Sequence, residues 1–134
     1  MSGATWSTGA YPHGGTGYLI DGGANNAAHT GYQTITIPSG TTPSLSFWLN
    51  VTSEETTTTI KYDFLYVEVR NTSGTLLATL ATYSNLDKGT AGVYSQKVGL
   101  SLAAYAGQTV RIQFRGTTDT SLITSFRIDD VSAK

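Results

Sequence analysis

The chain lacks cysteine altogether and has only two histidines, His13 and His29, among its 134 residues. Without cysteine it cannot form disulfide bonds, thiolate metal sites or a cysteine nucleophile. Both histidines are predicted to lie in Gly- and Asn-rich loops, and neither belongs to an HExxH or GxSxG pattern. The sequence therefore predicts a protein that is not an enzyme. Because carboxylates distant in sequence can converge in space, a small hydrolase is kept as the least favoured alternative.

Charge is also scarce: charged residues make up 13% of the chain, the net charge is -1 and the pI is about 6.0. Such a chain has no broad basic surface for nucleic acid or anionic lipid. No apolar run approaches the roughly 18–20 residues that span a bilayer, and no signal-like segment opens the chain. We therefore expect a monomer with neither a nucleic-acid nor a membrane partner.

Thr, Ser, Gly, Asn and Tyr take the place of charge, and this mixture favours strands and turns over helices. Eight or nine short segments alternate polar and apolar residues, among them 18–20, 32–37, 45–51, 63–70, 75–81, 93–100, 109–115 and 125–131. Residues 71–74 are predicted as a hairpin turn, 52–61 as a loop or irregular hairpin, and 102–107 as one helical turn. Short strands at spacings of about 10–15 residues are typical of two packed sheets. We predict one all-β domain over residues 1–134, an antiparallel two-sheet β-sandwich of the jelly-roll type.

The alternation also predicts which side chains form the core. The inward-facing positions are expected to be Ile35, Ile37, Leu45, Phe47, Leu49, Leu65, Val67, Val69, Val110, Ile112, Phe114 and Ile128.

Five segments occur in an order that resembles bacterial MAM-like jelly rolls: QTITIPSG (33–40), LSFWL (45–49), YDFLYV (62–67), LAAYAGQTVRI (102–112) and SFRIDDV (125–131). The last of these is also similar to the closing segment of calcium-stabilised carbohydrate-binding modules. The resemblance covers nearly the whole chain, residues 15–133. It implies a secreted, extracellular accessory domain appended to a bacterial peptidase or other hydrolase. The expected partners are the glycan or protein substrate of that parent enzyme and the neighbouring domains of the parent chain. Met1-Ser2-Gly3 is interpreted as an added start, and the rest as a piece of a larger multidomain protein.

Aromatic residues suggest a ligand site. Alternation places Trp48 opposite to the core-facing Phe47, and the same parity on other strands selects further aromatic and planar polar side chains. If these strands are neighbours, one sheet face presents rings that can stack on sugars beside groups that bind hydroxyls. The predicted ligand-binding residues are Trp48, Tyr66, Glu68, Gln113, Arg115 and Arg127. The alternative is a second, minor core, in which the Thr-rich loop and the N-terminal Trp6 and Tyr11 cover this face.

The carboxylates suggest a metal. Glu54, Glu55 and Asp63 flank one loop, and Asp129 and Asp130 end the last strand. Calcium takes roughly six to eight oxygen ligands, whereas zinc prefers Cys and His. The Gly- and Asn-rich stretch 22–26 could add carbonyl oxygens.

In the resembled domains the closing Asp-Asp-Val supplies a structural calcium ligand, which implies Asp129 or Asp130 here. One departure from those domains is Ala28-His29, where they often carry a polar or acidic pair. The predicted calcium ligands are Glu55, Asp63, Asp129 and Asp130. The alternative is that Asp129 and Asp130 only bind turn amides.

Taken together, the residues and the resemblance predict a non-catalytic, calcium-stabilised accessory module that recognises glycan or polypeptide. The alternative is a structural or adhesive spacer domain without a small ligand. An exposed aromatic cluster favours the first function, and an outer face of Thr, Ser and Lys alone favours the second.

Overall fold

The structure is a computed structural model that describes residues 5–7, 18–22, 28–40, 42–120 and 122–133. Within these ranges the chain forms nine strands and two single-turn 3-10 helices, Asn85–Asp87 and Ala103–Tyr105. The strands are β1 (Thr5–Ser7), β2 (Tyr18–Gly22), β3 (Ala28–Thr36), β4 (Ser44–Ser53), β5 (Phe64–Arg70), β6 (Leu76–Ser84), β7 (Ser95–Ser101), β8 (Thr109–Thr117) and β9 (Thr124–Ala133). None of the described helices has the length and apolar character needed to cross a membrane.

The strands form two antiparallel sheets, which confirms the predicted β-sandwich. The five-stranded sheet has the order β1-β2-β9-β4-β7, and the four-stranded sheet has the order β3-β8-β5-β6. The strand β2 is two residues longer than the segment predicted at 18–20, and it lies between β1 and β9. His29 lies in β3 and not in a loop, whereas His13 is outside the described residues.

The core lies between the two sheets and matches the predicted alternation closely. Of the predicted core side chains, Ile35 is partly buried and all the others are buried. Val51, Leu102 and Phe126 join them in the same cluster. Phe47 of β4 meets Phe114 of β8 edge to face, with ring centroids 5.2 Å apart, which ties one sheet to the other.

The turn between β5 and β6 shows why the chain reverses where predicted. The Asn71 side-chain oxygen accepts backbone N–H bonds from Ser73 and Thr75 at 3.0 and 2.9 Å, a local substitute for strand pairing. Gly74 follows with φ of 88°, a left-handed conformation that glycine adopts without strain. This hairpin places β5 between β6 and β8 in its sheet.

Candidate ligand face and metal site

The six predicted ligand residues do not share one face. Tyr66 and Glu68 on β5 lie opposite Arg115 and Gln113 on β8, in the four-stranded sheet. Trp48 on β4, by contrast, lies opposite Asp129 on β9, in the five-stranded sheet.

Arg127 also belongs to that second sheet, where it is paired with Asn50. The prediction of a single face is therefore wrong for Trp48 and Arg127. Alternation gives the side of a strand on which a residue lies, but it does not give the sheet to which the strand belongs.

The outer surface of the four-stranded sheet carries both aromatic and arginine side chains, and we call it the ligand face. It comprises Tyr32 on β3, Phe64, Tyr66 and Arg70 on β5, and Arg111 and Arg115 on β8. The Arg115 guanidinium lies 4.2 Å from the centroid of the Tyr66 ring, and the Arg111 guanidinium lies 4.4 Å from that of Tyr32. Both distances are within the range of cation–π attraction. Each tyrosine thus holds an arginine in place.

The rings also contact one another along β5. Phe64 and Tyr66 lie two residues apart on the same side of the strand, with centroids 5.9 Å apart and planes inclined by 20°. Tyr32 is 38% exposed, while Phe64 and Tyr66 are half-buried. The ligand face is therefore reached by solvent. Of its proposed covers, Trp6 lies in β1 of the other sheet with its side chain outside the described residues, as is all of Tyr11.

A fully buried carboxylate underlies the ligand face. Glu68 accepts bonds from Arg115 Nη2 at 3.0 Å and from Arg70 Nε at 3.0 Å. Gln113 Nε2 donates to the same carboxylate at 3.1 Å. Burial acts to raise the pKa of Glu68, but the hydrogen bonds from Arg115 and Arg70 and their charges outweigh it, so the pKa is lowered. Glu68 is ionised and holds both arginines.

This burial changes the roles of two predicted ligand residues. Glu68 is 0% exposed and Gln113 only 7%, so neither presents atoms to a molecule on the surface. Both are reassigned from ligand contacts to positioning residues for the arginines. The candidates left for direct contact are Tyr66 and Arg115, together with Tyr32, Arg70 and Arg111, which the sequence prediction did not include.

The outer surface of the five-stranded sheet is different, because a loop of the chain itself covers part of it. Asn50 donates to the backbone oxygens of Thr90 and Val93 at 3.0 and 3.1 Å and accepts from the Gly92 N–H at 2.9 Å. These bonds bury Asn50 to 1% exposure. Arg127 is held by a bond to Thr52 Oγ1 at 2.6 Å. The part of this surface around Asn50 therefore packs against the chain itself.

Three carboxylates converge at the loop end of the sandwich. Glu55 follows β4, Asp63 precedes β5 and Asp119 follows β8, and one oxygen of each lies within 4.8 Å of the others. They meet because the start of β5 pairs with the end of β8. We call this group the carboxylate cluster. It could hold a metal ion.

Asp63 is fixed in the cluster by its neighbours. It is 0% exposed, and its two oxygens accept bonds from the Asp119 N–H at 2.9 Å and from Thr124 Oγ1 at 2.5 Å. Glu55 is only 3% exposed, and its Oε1 has no hydrogen-bond partner. Burial raises the pKa of Glu55, and the charges of Asp119 and Asp63 raise it further against the opposing charge of Lys88. A buried carboxylate oxygen with no donor fits a cation.

The carboxylate cluster contains two of the four predicted calcium ligands. Glu55 and Asp63 belong to it, but Asp129 and Asp130 do not. Asp129 lies five residues along β9 from Thr124, about 16 Å away at roughly 3.3 Å per residue.

The two closing aspartates have other surroundings. Asp130 has φ of 51° at a bulge in the pairing with β4, and its N–H donates to Asp129 Oδ1 at 2.8 Å. They border a cleft of about 620 Å³ between the sheets, which is also lined by the core side chains Leu45, Ile112, Phe114 and Ile128. The alternative prediction was that both aspartates bind turn amides; Asp129 does accept a backbone amide bond, but that amide belongs to the bulge in β9.

Asp119 is the ligand candidate that sequence reasoning missed. It stands in a run of threonines, and nothing in its immediate sequence distinguishes it from a loop residue. Knowing that β5 pairs with β8 would have pointed to it. Residues 23–26 of the predicted carbonyl-rich stretch lie outside the described residues.

No family model and no curated protein matches this sequence. Solved structures do match. One is the carbohydrate-binding module TmCBM61 in complex with β-1,4-galactotriose, with a TM-score of 0.67 and 11% identity over 98% of this chain and 81% of that one. Another is the K1 cleaved adhesin domain of Lys-gingipain from Porphyromonas gingivalis, with a TM-score of 0.67 and 15% identity over 99% of this chain and 83% of that one. A third is a CBM4 structure, with a TM-score of 0.54 and 16% identity over 99% and 78%.

At these identities the likeness shows the fold alone. The chain has the β-sandwich fold found in carbohydrate-binding modules and in an adhesin domain. The MAM-like label remains a prediction.

Proposed function

We propose that this chain is a non-catalytic module that binds glycan through the ligand face. The observation that carries the proposal is the pairing of solvent-reached tyrosine rings with arginines held over them, above the buried Glu68. Two of the similar structures are carbohydrate-binding modules, and one of these contains a galactotriose. Both facts favour glycan over a spacer role.

The ligand face suits sugar hydroxyls for a physical reason. A guanidinium is planar and presents several N–H donors in a fixed fork, so it can bind two neighbouring hydroxyls together. Arg115 is held by Tyr66 and by Glu68, so little of its rotamer freedom remains to be lost on binding. The exposed ring of Tyr32 adds apolar area for the C–H face of a sugar.

The test is an array of plant and bacterial polysaccharides, with β-1,4-galactan included. We expect Tyr66→Ala to remove retention on the glycan bound by the wild type, since it removes both a ring and the support of Arg115. Trp48→Ala is the matched control, because it removes an aromatic residue from the opposite sheet and should leave retention unchanged. Equal loss in both variants, or loss only in Trp48→Ala, would move the site away from the ligand face.

Binding of polypeptide is the second candidate, and the adhesin domain among the similar structures favours it. The same arginines would then pair with acidic side chains. Retention on immobilised protein substrates with no signal on the glycan array would assign the ligand face to this function.

We further propose that the carboxylate cluster holds calcium. Its ligand atoms are all carboxylate oxygens, with no cysteine in the chain. The ion would join the segments after β4, before β5 and after β8, and would satisfy the unpartnered oxygen of Glu55. Calorimetric titration with Ca²⁺, compared with Mg²⁺ and Zn²⁺, tests its identity.

The setting of the module is also proposed from its resemblance to known domains. We infer that it is secreted and is an accessory domain of a hydrolase, with the parent substrate as its ligand. The sequence of the full-length gene tests this directly: it should encode an export signal and a catalytic domain.

A further inference from the structure

A cleft of about 420 Å³ opens directly above the carboxylate cluster. Its walls are mostly uncharged and hydroxylated, and its lining residues are Glu55, Thr56, Thr57, Tyr62, Asp119, Thr120 and Leu122. The volume falls within the range of small-ligand sites. Tyr62 and Leu122 are each 43% exposed at its rim. The cleft is separate from the ligand face, none of whose residues line it.

The cluster is arranged so that a bound ion would face this cleft. Glu55 and Asp119 line the cleft, whereas Asp63 is fully buried and is not among its lining residues. An ion among the three would therefore have Asp63 behind it and the cleft in front. One oxygen of each carboxylate lies close enough to the other two to bind the same ion. Because calcium takes roughly six to eight oxygens, about three or more positions are left for other ligands.

One wall of the cleft is held in place by the buried side chain of Asn85. Asn85, 1% exposed, accepts bonds from the Tyr62 and Asp63 N–H groups at 2.8 and 3.2 Å and donates to the Ile60 oxygen at 3.0 Å. This fixes the chain segment that carries Tyr62. A rigid wall costs little entropy when a ligand is bound.

The opposite wall is held in a strained conformation. Leu122 has φ of 61°, which is unfavourable for a residue with a branched side chain. Its side chain is exposed, so burial in the core does not offset this cost. The next residue, Ile123, makes two hydrogen bonds with Glu54. The Ile123 N–H donates to Glu54 Oε1 at 3.0 Å, and the Glu54 N–H donates to the Ile123 backbone oxygen at 2.9 Å. Strain of this kind is concentrated at functional sites.

The charges select the class of ligand. Three carboxylates and one Ca²⁺ sum to -1, and Lys88, which donates to the Glu55 backbone oxygen, brings the total to zero. Glu54 beside them adds a further negative charge. An anion gains nothing at such a site, whereas neutral hydroxyl groups can complete calcium coordination and bind the threonines.

We propose that this cleft is a second, calcium-dependent binding site that takes a neutral saccharide through neighbouring hydroxyl groups. The inference rests on the calcium site proposed above. The Tyr62 ring would pack against the sugar at the rim, and the ion would fill the base.

The experiment begins with metal alone. Terbium, which replaces calcium at oxygen sites, should luminesce when tyrosine is excited, and Tyr62→Ala should reduce this emission while calorimetry shows unchanged calcium affinity. Asp119→Asn should abolish binding of both metals. An unchanged emission in Tyr62→Ala would place the metal away from the cleft and overturn the inference.

The second step repeats the glycan array in calcium and in excess chelator. We expect some glycans to be retained only with calcium, and Tyr62→Ala to weaken their binding by about tenfold, which corresponds to about 1.4 kcal/mol. Tyr32→Ala, which removes a tyrosine of similar exposure from the ligand face, is the matched control and should leave this calcium-dependent part unchanged.

The remaining outcomes separate the two sites. If the array signals are identical with calcium and with chelator and are removed by Tyr66→Ala, the saccharide site in the cleft is overturned and the glycan site on the ligand face is kept. An array without any signal would reject glycan at both. Calcium-dependent retention of a lysine-rich peptide in place of glycan would assign the cleft to a protein partner and overturn the saccharide inference.

Discussion

Two buried glutamates, Glu68 and Glu55, have opposite surroundings. Glu68 is 0% exposed beneath the ligand face, and Arg70, Arg115 and Gln113 donate to it. Glu55 is 3% exposed in the carboxylate cluster, and one of its oxygens has no hydrogen-bond partner. The pKa of the first is lowered and that of the second is raised.

The difference lies in the source of positive charge. Strands β5 and β8 supply two arginines at positions that the sheet register fixes around Glu68. The loops around Glu55 supply two more carboxylates and a single lysine. A buried charge is costly unless it is paired with an opposite charge. The chain itself supplies the cations that pair with Glu68, whereas a cation from solution could pair with Glu55.

The largest effect is expected at the glutamate that the chain satisfies. Glu68→Ala should destabilise the fold by about 3 kcal/mol, the lower end for breaking a buried ion pair, because its arginine partners are 21% and 33% exposed. Urea unfolding measures this. Gln96→Ala, at an exposed position on β7, is the control and should stay within about 0.5 kcal/mol. A comparably small change in Glu68→Ala would mean that the buried network adds nothing to the fold.

Calcium should produce a slightly smaller effect at the other glutamate. An ion that binds only the folded chain adds about 2.7 kcal/mol at a hundredfold excess over its Kd, or on the order of 10 °C in Tm for a domain of this size. Excess chelator should therefore lower the Tm by this amount. Glu55→Gln should remove the calcium dependence because it removes a ligand charge.

Asp129→Asn separates the ligand set derived from the structure from the one predicted from the sequence. It should keep the full response to calcium, because Asp129 is not in the carboxylate cluster. If Asp129→Asn lost the response and Glu55→Gln kept it, the metal would lie at the closing aspartates instead.

The fold could be predicted from the sequence because alternation is a local property. Leu65, Val67 and Val69 face inward in the strand as in the pattern, and the Asn71 turn follows from its own side-chain bonds. The pairing of β9 with β4 shifts in register at a bulge that contains Asp130, which the alternation did not predict. The short β1 was missed, since three residues carry too little pattern to mark a strand.

The sites could be predicted only in part, because they depend on which strands are neighbours. Trp48 and Tyr66 have the same outward parity, yet they lie on opposite surfaces of the sandwich. Asp119 and Glu55 are far apart in the sequence, so no local pattern predicts that they lie close together. The burial of polar side chains could not be predicted from the sequence either. A polar residue at an outward position, such as Glu68, is expected to be exposed unless the arginines that cover it are known.

The smallest expected effect is a dependence of stability on pH that belongs to Glu68. Its pKa in the folded protein lies below the ordinary value of 4.5, so it contributes stability that is present above about pH 4.5 and is lost as the pH falls through the lowered pKa. The charged groups that face it are Arg70 on its own strand and Arg115 on β8. On β6 its neighbour Thr79 is uncharged.

In metal-free protein, urea midpoints measured at successive pH values below 5 should therefore fall more steeply for the wild type than for Glu68→Gln. Asp87→Asn, which changes an exposed carboxylate far from this network, controls for the general loss of stability in acid and should follow the wild-type slope. If Glu68→Gln followed the wild-type slope as well, the carboxylate would be titrating as an ordinary surface group, and the contrast between the two glutamates would fail.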